Sequence, residues 1–290
     1  MTDPAPLAPV ALGRVGEPGA ERPVVLVDGA AFDARPVTDD ITPGFLERGG
    51  LDPLVAAARA GALPATDVGG ERIGPPIDGP RKVVCIGLNY HGHAAETGAT
   101  PPDEPVVFMK DAGCVVGPDD DVLIPPGSTR TDWEVELAIV IGRTARYLGS
   151  PADAAGHIAG YTISNDVSER ELQLERSGGQ WDKGKSCETF NPLGPWLVPS
   201  SAVGDPQALD LRLWLNGELR QSSNTADMIF GIDHIVWALS RCMVLRPGDV
   251  VNTGTPAGVA LGSADQQYLR AGDVLELEIT GLGRQRQTLR

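Results

Sequence analysis

The stretch Thr131–Gly142, TDWEVELAIVIG, sets two glutamates, Glu134 and Glu136, two positions apart in a run of branched and aromatic residues. Such a run reads as a β-strand, whose side chains alternate between two faces. Trp133, Val135, Leu137, Ile139 and Ile141 then share one face; Glu134, Glu136, Ala138 and Val140 share the other. Burying an unpaired carboxylate is costly, and two side by side repel. A solvated face, an Arg or Lys partner for each glutamate, or a divalent cation held between them would each relieve the conflict. The apolar continuation through Ala138 and Val140 favours a strand end at the mouth of a cleft over a solvated face. Residues i and i+2 lie about 6.5 Å apart along a strand, so both side chains can converge on one ion. Mg²⁺ or Mn²⁺ suits all-carboxylate ligation, whereas Zn²⁺ prefers His and Cys. Asp166, in ISNDVSER, stands at the end of a second strand and offers a third carboxylate. Three carboxylates leave positions on an octahedral ion for water and for a chelating ligand such as a 2-oxo acid.

A base and several cations lie elsewhere. In NYHGHAAE, His93 and Glu96 are three apart and share a face of a short helix starting near Gly92. A carboxylate beside an imidazole orients it and raises its basicity, as a general base requires. On spacing alone a capping or surface histidine is the simpler reading. Arg170 and Gln173 share one helix face, and Ser168 with Glu171 has the spacing of a capping box at that helix's start. Lys183 and Lys185 lie in a Gly-flanked loop whose backbone can approach a substrate closely; Lys183 reads as solvated. NTGTPAGV offers the Thr253 and Thr255 hydroxyls, in what by itself is only a loop. Cys85, Cys114, Cys187 and Cys242 are far apart and form no CxxC pair, which reads as reduced thiols. Cys187 has no neighbouring His to make it a nucleophile.

The elements that must position these residues read as follows. RPVVLVDGAAFDARPV is a hairpin turning on Asp28-Gly29, and LDPLVAAARAGAL a short helix ending at Gly61. The Pro- and Gly-rich segment Gly69–Lys82 reads as a linker, dividing a small N-terminal β domain (1–75) from a catalytic domain (76–290). Beyond it come strands at KVVCIG, EPVVFMK, TDWEVELAIVIG, HIAGYTISNDVS, GDVVN and DVLELEITGLG. LDLRLWLNGELRQSS is a hairpin on Asn216-Gly217, and helical spacing runs from Ile232 to Leu245. Strands outnumber helices without βαβ alternation, which is a β-rich α+β class. The net charge of −15 over 290 residues argues against nucleic acid or an anionic membrane as a main partner. No apolar run approaches the ~20 residues of a membrane span. The opening MTDPAPLAPVALGRVGEPG lacks the basic start and apolar core of a signal peptide, so a cytoplasmic protein is expected.

Seven stretches in order resemble the fumarylacetoacetate hydrolase family: CIGLNYHGHAAE, EPVVFMK, DWEVELAIVIG, GYTISNDVSERELQ, KGKSCETFNPLGPW, LNGELRQSSNTADMIFGIDHIV and PGDVVNTGTPAGV. The resemblance runs from Lys82 to about Gly283. QLERSGGQWDKGKSCETFNPLGPWLV is most similar to the bacterial branch of 2,4-diketo-3-deoxy-sugar-acid and acylpyruvate hydrolases and of proteins labelled ureidoglycolate lyases. The resemblance implies a mixed β-sandwich roll with a small N-terminal β domain, commonly as a homodimer. It implies Mg²⁺ or Mn²⁺ on Glu134, Glu136 and Asp166, and a base dyad of His93 with Glu96, against the simpler reading above. It also implies that Lys185 stabilises developing charge and that Arg170, Gln173, Lys110 and Thr255 contact substrate. The implied reaction is hydrolysis of a C–C bond in a 2,4-dioxo acid, giving pyruvate and a carboxylic acid. Decarboxylation of an oxaloacetate-like acid and isomerisation of a 2-hydroxy-dienoate use the same enolate and stay open beside it. So does an inactive, ligand-binding relative, against which the intact dyad and carboxylates speak. GVALGS lacks the glycine that usually follows GTPxGV, so the loop nearest the substrate is expected to differ.

Overall fold

The structure, a computed structural model, describes residues 6–290, so the first five residues of the N-terminal stretch read above lie outside it. The chain begins with β1 (Val10–Val15), β2 (Arg22–Val27) and β3 (Ala30–Asp33). Asp28 and Gly29 turn β2 into β3 with φ of 49° and 83°, the left-handed pair a two-residue hairpin needs. Helices α1 (Pro43–Glu47) and α2 (Leu51–Arg59) follow. Thr42 Oγ1 starts α1 by accepting the Phe45 N–H at 3.1 Å.

After the Pro- and Gly-rich stretch come β4 (Val83–Gly87), α3 (His91–Glu96), β5 (Val106–Lys110), β6 (Val115–Val116), β7 (Thr131–Asp132) and β8 (Val135–Ile141). Then come β9 (Ile158–Asn165), β10 (Ser168–Glu169), a π-turn over Glu171–Glu175, α4 (Asp182–Lys185) and β11 (Asn191–Pro199). The chain ends with β12 (Asp210–Leu215), β13 (Glu218–Asn224), α5 (Ile232–Cys242), β14 (Val250–Asn252), β15 (Val274–Ile279) and β16 (Gly283–Thr288).

Among the described residues, a ten-stranded mixed sheet runs β3-β2-β1-β11-β9-β8-β14-β4-β5, with β6 beside β11; β13-β12-β15-β16 make a second sheet, and β7 pairs β10. β1 meets β11 at Leu12 and Leu197, so the N-terminal strands continue the large sheet. This is a sheet-rich α+β fold in layers. On one face of β8, Leu137, Ile139 and Ile141 pack with Leu211, Leu213, Leu275 and Leu277 of the small sheet. On the other, Ala138 and Val140 pack with Leu12, Val25, Phe45 and Leu54 of the N-terminal strands and helices. The alternation along β8 thus feeds two cores, and Glu136 heads the face that continues into Ala138 and Val140. No helix among the described residues is long and apolar enough to cross a membrane.

Three local expectations change. The strand over 131–142 is interrupted at Trp133 and Glu134, where side chains replace the ladder: Asp132 Oδ1 accepts the Trp133 N–H at 2.9 Å and Asn165 Oδ1 the Glu134 N–H at 3.2 Å. The helix expected to start at Ser168 does not form there. Ser168 and Glu169 pair with Asp132 and Thr131, which satisfies their backbone, and the Glu169 carboxylate takes the Leu172 N–H at 2.7 Å. Helix α5 stops at Cys242 because Leu245 bridges to Ala145 instead.

The close approach of β9 and β11 depends on one glycine. A Cβ at Gly160 would stand 2.1 Å from Val198 O and 2.8 Å from its carbonyl carbon, and neither is a movable side chain. Gly160→Ala is expected to cost about 1–3 kcal/mol or more, read as a lowered urea midpoint against wild type.

Candidate active site

Glu134 sits in the break before β8 and Glu136 within it, while Asp166 directly follows β9. Because β8 and β9 are antiparallel neighbours, with Val135 opposite Asn165, these chain positions meet at one sheet end. Asp166 N–H donates to Glu134 O at 2.9 Å. Ligand oxygens of Glu134, Glu136 and Asp166 all lie within 4.8 Å of one another, and the three side chains are buried.

Cations from three further elements bind this cluster. Lys185, ending α4, donates to Glu134 Oε2 at 2.9 Å and to Asp166 Oδ2 at 3.0 Å. Lys110, ending β5, donates to Asp166 Oδ1 and, at 3.0 Å, to Val167 O. Arg170 donates to Glu134 Oε1 at 2.7 Å, to Asp132 Oδ2 at 2.8 Å and to Gln173 Oε1 at 2.9 Å. Burial alone would raise the Glu134 carboxyl, but Lys185 and Arg170 hold it well below the usual carboxylate range. Burial would likewise lower Lys185, but Asp166 and Glu134 carry it up to about 12. Glu136 has no such partner. Among the described residues its protein hydrogen bond is from Gly254 N–H, at 2.7 Å. Burial, with Asp166 and Glu134 close by, pushes its carboxyl well above the ordinary value.

Four buried acids (Asp132, Glu134, Glu136, Asp166) therefore face three buried cations (Lys110, Arg170, Lys185). One acid is left over, and it is Glu136. Three hard oxygen donors with surplus negative charge fit a divalent, oxygen-seeking cation.

Helix α3 brings His93 to the same cavity. His93 Nδ1 lies 2.7 Å from Glu96 Oε1, and Gly258 N–H donates to Glu96 Oε2 at 2.9 Å. Glu96 is thus held from two sides. With Nδ1–H donated to Glu96, the imidazole presents Nε2 as its free lone pair. Gly262 leaves Glu96 its space: a Cβ there would stand 2.6 Å from the Glu96 carboxyl carbon.

A cavity of about 410 Å³ is lined by His93, Glu96, Glu134, Glu136, Arg170, Gln173, Lys185 and Thr255 together with apolar side chains. Lys110 and Asp166 lie behind that wall. Gln173 accepts from Arg170, and its amide NH₂ makes no hydrogen bond among the described residues. The Thr255 hydroxyl donates to Val135 O at 3.0 Å and accepts from Gln221 at 2.8 Å, so its own proton is already used. Lys183 stays outside and donates to Arg176 O.

Sequence reasoning missed two organising residues. Asp132 accepts N–H bonds from Trp133, Ala260 and Leu261, besides that from Arg170. The signal was present: Asp132 precedes Glu134 by the same two positions that separate Glu134 from Glu136. Gln221 accepts from Val135 N–H at 3.0 Å and donates to Thr255 Oγ1 and Pro256 O, both at 2.8 Å. It lies in a stretch that carries the family resemblance, but no local spacing singles it out, because its partners are distant in the chain.

The family model described as "Fumarylacetoacetate (FAA) hydrolase C-terminal" matches residues 82–290. A Burkholderia multivorans relative, provisionally named a hydrolase, is 47% identical over 279 residues, covering 96% of this chain and 98% of the relative. Among solved structures, a fumarylacetoacetate hydrolase from the psychrophilic Exiguobacterium antarcticum superposes with a TM-score of 0.84 at 35% identity, over 97% of this chain and 99% of that one. A 2-hydroxyhepta-2,4-diene-1,7-dioate isomerase from Mycobacterium marinum gives 0.71 at 31%, over 97% and 98%. A maleylpyruvate hydrolase from Sphingobium gives 0.79 at 28%, over 96% and 98%.

A cation held by this cluster would bind in a pH-dependent way because of the surplus acid. A carboxyl whose affinity for protons is raised must release its proton to a cation. Mg²⁺ affinity is therefore expected to rise with pH, by at most about tenfold per unit for one proton. Calorimetric titration in buffers of different ionisation enthalpy should show proton release in wild type. Glu136→Gln keeps an oxygen for Gly254 N–H and should both lose that release and weaken the ion.

Proposed function

Because the chain belongs to the fumarylacetoacetate hydrolase family, a family of enzymes, we propose that it is a divalent-metal-dependent hydrolase of 2,4-dioxo acids. It cleaves the bond between carbons 3 and 4 to give pyruvate and a carboxylic acid. The observation that carries this reading is that an oriented imidazole lines one cavity with Glu134 and Glu136, behind which Asp166 completes the acid cluster. A Mg²⁺ or Mn²⁺ ion on Glu134, Glu136 and Asp166 would supply Lewis acidity to the oxygens of a bound 2-oxo acid.

The chain's own groups do the rest. His93 Nε2 takes a proton from water while Nδ1–H stays on Glu96, which stabilises the imidazolium that forms. The hydroxide attacks the carbonyl at carbon 4. The carbon 3–carbon 4 bond then breaks, its electron pair passes into a pyruvate enolate, and the imidazolium proton returns to carbon 3. Lys185 spends two N–H bonds on Glu134 and Asp166 and has a third for the developing enolate oxygen. The Gln173 amide donates to the substrate carboxylate, and Arg170 fixes Gln173 in place. Lys110 acts through Asp166 and Thr255 through Val135 and Gln221, so both position the site.

A second reading keeps the enolate and omits the water. Isomerisation of a 2-hydroxy-dienoate would use His93 only to move a proton, and the named activity of the Mycobacterium marinum neighbour favours keeping it in view. The two separate in ¹⁸O-water, where hydrolysis places one label in the carboxylic acid product and isomerisation places none. His93→Ala is expected to lower kcat by about 10²–10⁴-fold while Mg²⁺ still binds. Unchanged turnover with Mg²⁺ bound would remove His93 from the mechanism.

A further inference from the structure

The cavity has an apolar wall that the proposed chemistry does not use. Ile86, Leu88, Phe108, Leu174, Trp181 and Leu261 line it beside the charged groups. The wall begins at the acid cluster, where Lys185 Nζ lies 5.1 Å from the Phe108 ring centroid. It continues edge-on into Trp181, with ring centroids 5.4 Å apart and planes at 60°. Gly87 admits that indole, since a Cβ there would stand 2.5 Å from Trp181 Cζ3. Toward solvent the wall ends at Leu174, which is 43% exposed. A large apolar side chain both exposed and facing a cavity gains most when a ligand covers it.

Charge is distributed the opposite way. Among the described residues lining the cavity, the cationic side chains are Arg170 and Lys185. Both are bound to carboxylates of the acid cluster. Glu96 also lines the cavity, and its carboxylate would repel a second anionic group. Of the cations just outside, Lys183 donates to the Arg176 carbonyl and Arg176 pairs with Glu171 at 3.6 Å.

We infer that the cavity takes 2-oxo acids whose far end is an uncharged apolar group, an aryl or branched alkyl tail, and discriminates against those ending in a second carboxylate. This rests on the 2-oxo acid reading above and adds the identity of the tail. Phe108, Trp181 and Leu174 are the specificity-determining residues. A terminal carboxylate placed among them would lose water and meet no cation.

The test is equilibrium binding. Two 2-oxo acids of similar length, one ending in phenyl and one in carboxylate, both lacking the 4-oxo group and so uncleavable, are titrated calorimetrically into the Mg²⁺-loaded protein. The phenyl acid is expected to bind about tenfold tighter or more, as burial of an aromatic ring predicts. Leu174→Arg, at an exposed position, should shrink or reverse that preference. Equal affinities, a preference for the dicarboxylate, or a phenyl preference that Leu174→Arg leaves intact would each overturn the assignment. Turnover of the corresponding 2,4-dioxo acids is then measured. Failure to cleave either, with the phenyl preference intact, would remove the hydrolase reading and leave the tail assignment standing. Failure of both acids to bind would remove the two together.

Discussion

A buried cluster with one carboxylate too many is the constraint on which the rest of the molecule depends. Glu134, Glu136, Asp166 and Asp132 come from one edge of the structure, and the cations that hold three of them come from three other elements: Lys110 from β5, Arg170 from the segment after β10, and Lys185 from α4. Removing any one cation would leave a buried charge uncompensated, which costs far more than the pair itself contributes. The strand order of the large sheet and the seating of α4 are therefore tied to electrostatics as well as to packing. The remaining acid, Glu136, has a backbone N–H and no cation. The protein tolerates that conflict at one place, and such places are where sites are found.

The loop from Thr253 to Gly262 joins this cluster to the imidazole. Glu96 holds the loop at Gly258, and Asp132 holds it at Ala260 and Leu261. Gln221, from the small sheet, fastens it at Thr255 and Pro256. The imidazole's carboxylate partner and the arginine's carboxylate partner thus grip one segment, so the orientation of His93 and the placement of Arg170 are mechanically linked. The unusual Ala260 fits this frame. Its side chain is buried in the core beneath the small sheet while its N–H serves Asp132. Two residues on, Gly262 makes the close approach to Glu96.

What the sequence made legible follows from the range of each signal. Strand alternation brought Glu134 and Glu136 together, and helical spacing paired His93 with Glu96; both signals are local, and both pairs converge in the structure although the strand breaks at Glu134. The Asn216-Gly217 turn was equally readable, with φ of 52° and 82°. Ser168 with Glu171 had the right spacing for a helix cap, but β7 pairing claimed that backbone, and nothing local announces a partner almost forty residues earlier in the chain. The cations were harder still. Lys110 and Lys185 are ordinary lysines in sequence, and they become buried only because β5 and α4 converge on Asp166. The Gly-flanked loop drew attention to Lys185, but Lys110 was indicated by the family resemblance alone. Gln221 lies in one of the stretches that carry the family resemblance, but no local pattern singled it out there.

Chemistry and selectivity come from different parts of the chain. The acid cluster and its cations sit at strand and helix ends fixed by both cores. The apolar wall is drawn largely from connections: Leu88 before α3, Leu174 in the π-turn, Trp181 just ahead of α4, and Leu261 in the loop after β14. Connections tolerate substitution far better than a buried charge network does. A fold arranged this way can change the lining of its cavity without disturbing the buried charge cluster. Neighbours of the same architecture are named for hydrolysis in one case and isomerisation in another, so the architecture alone does not fix the reaction. Among the described residues lining the cavity, the cations Arg170 and Lys185 sit at the acid cluster and none lies along the apolar wall.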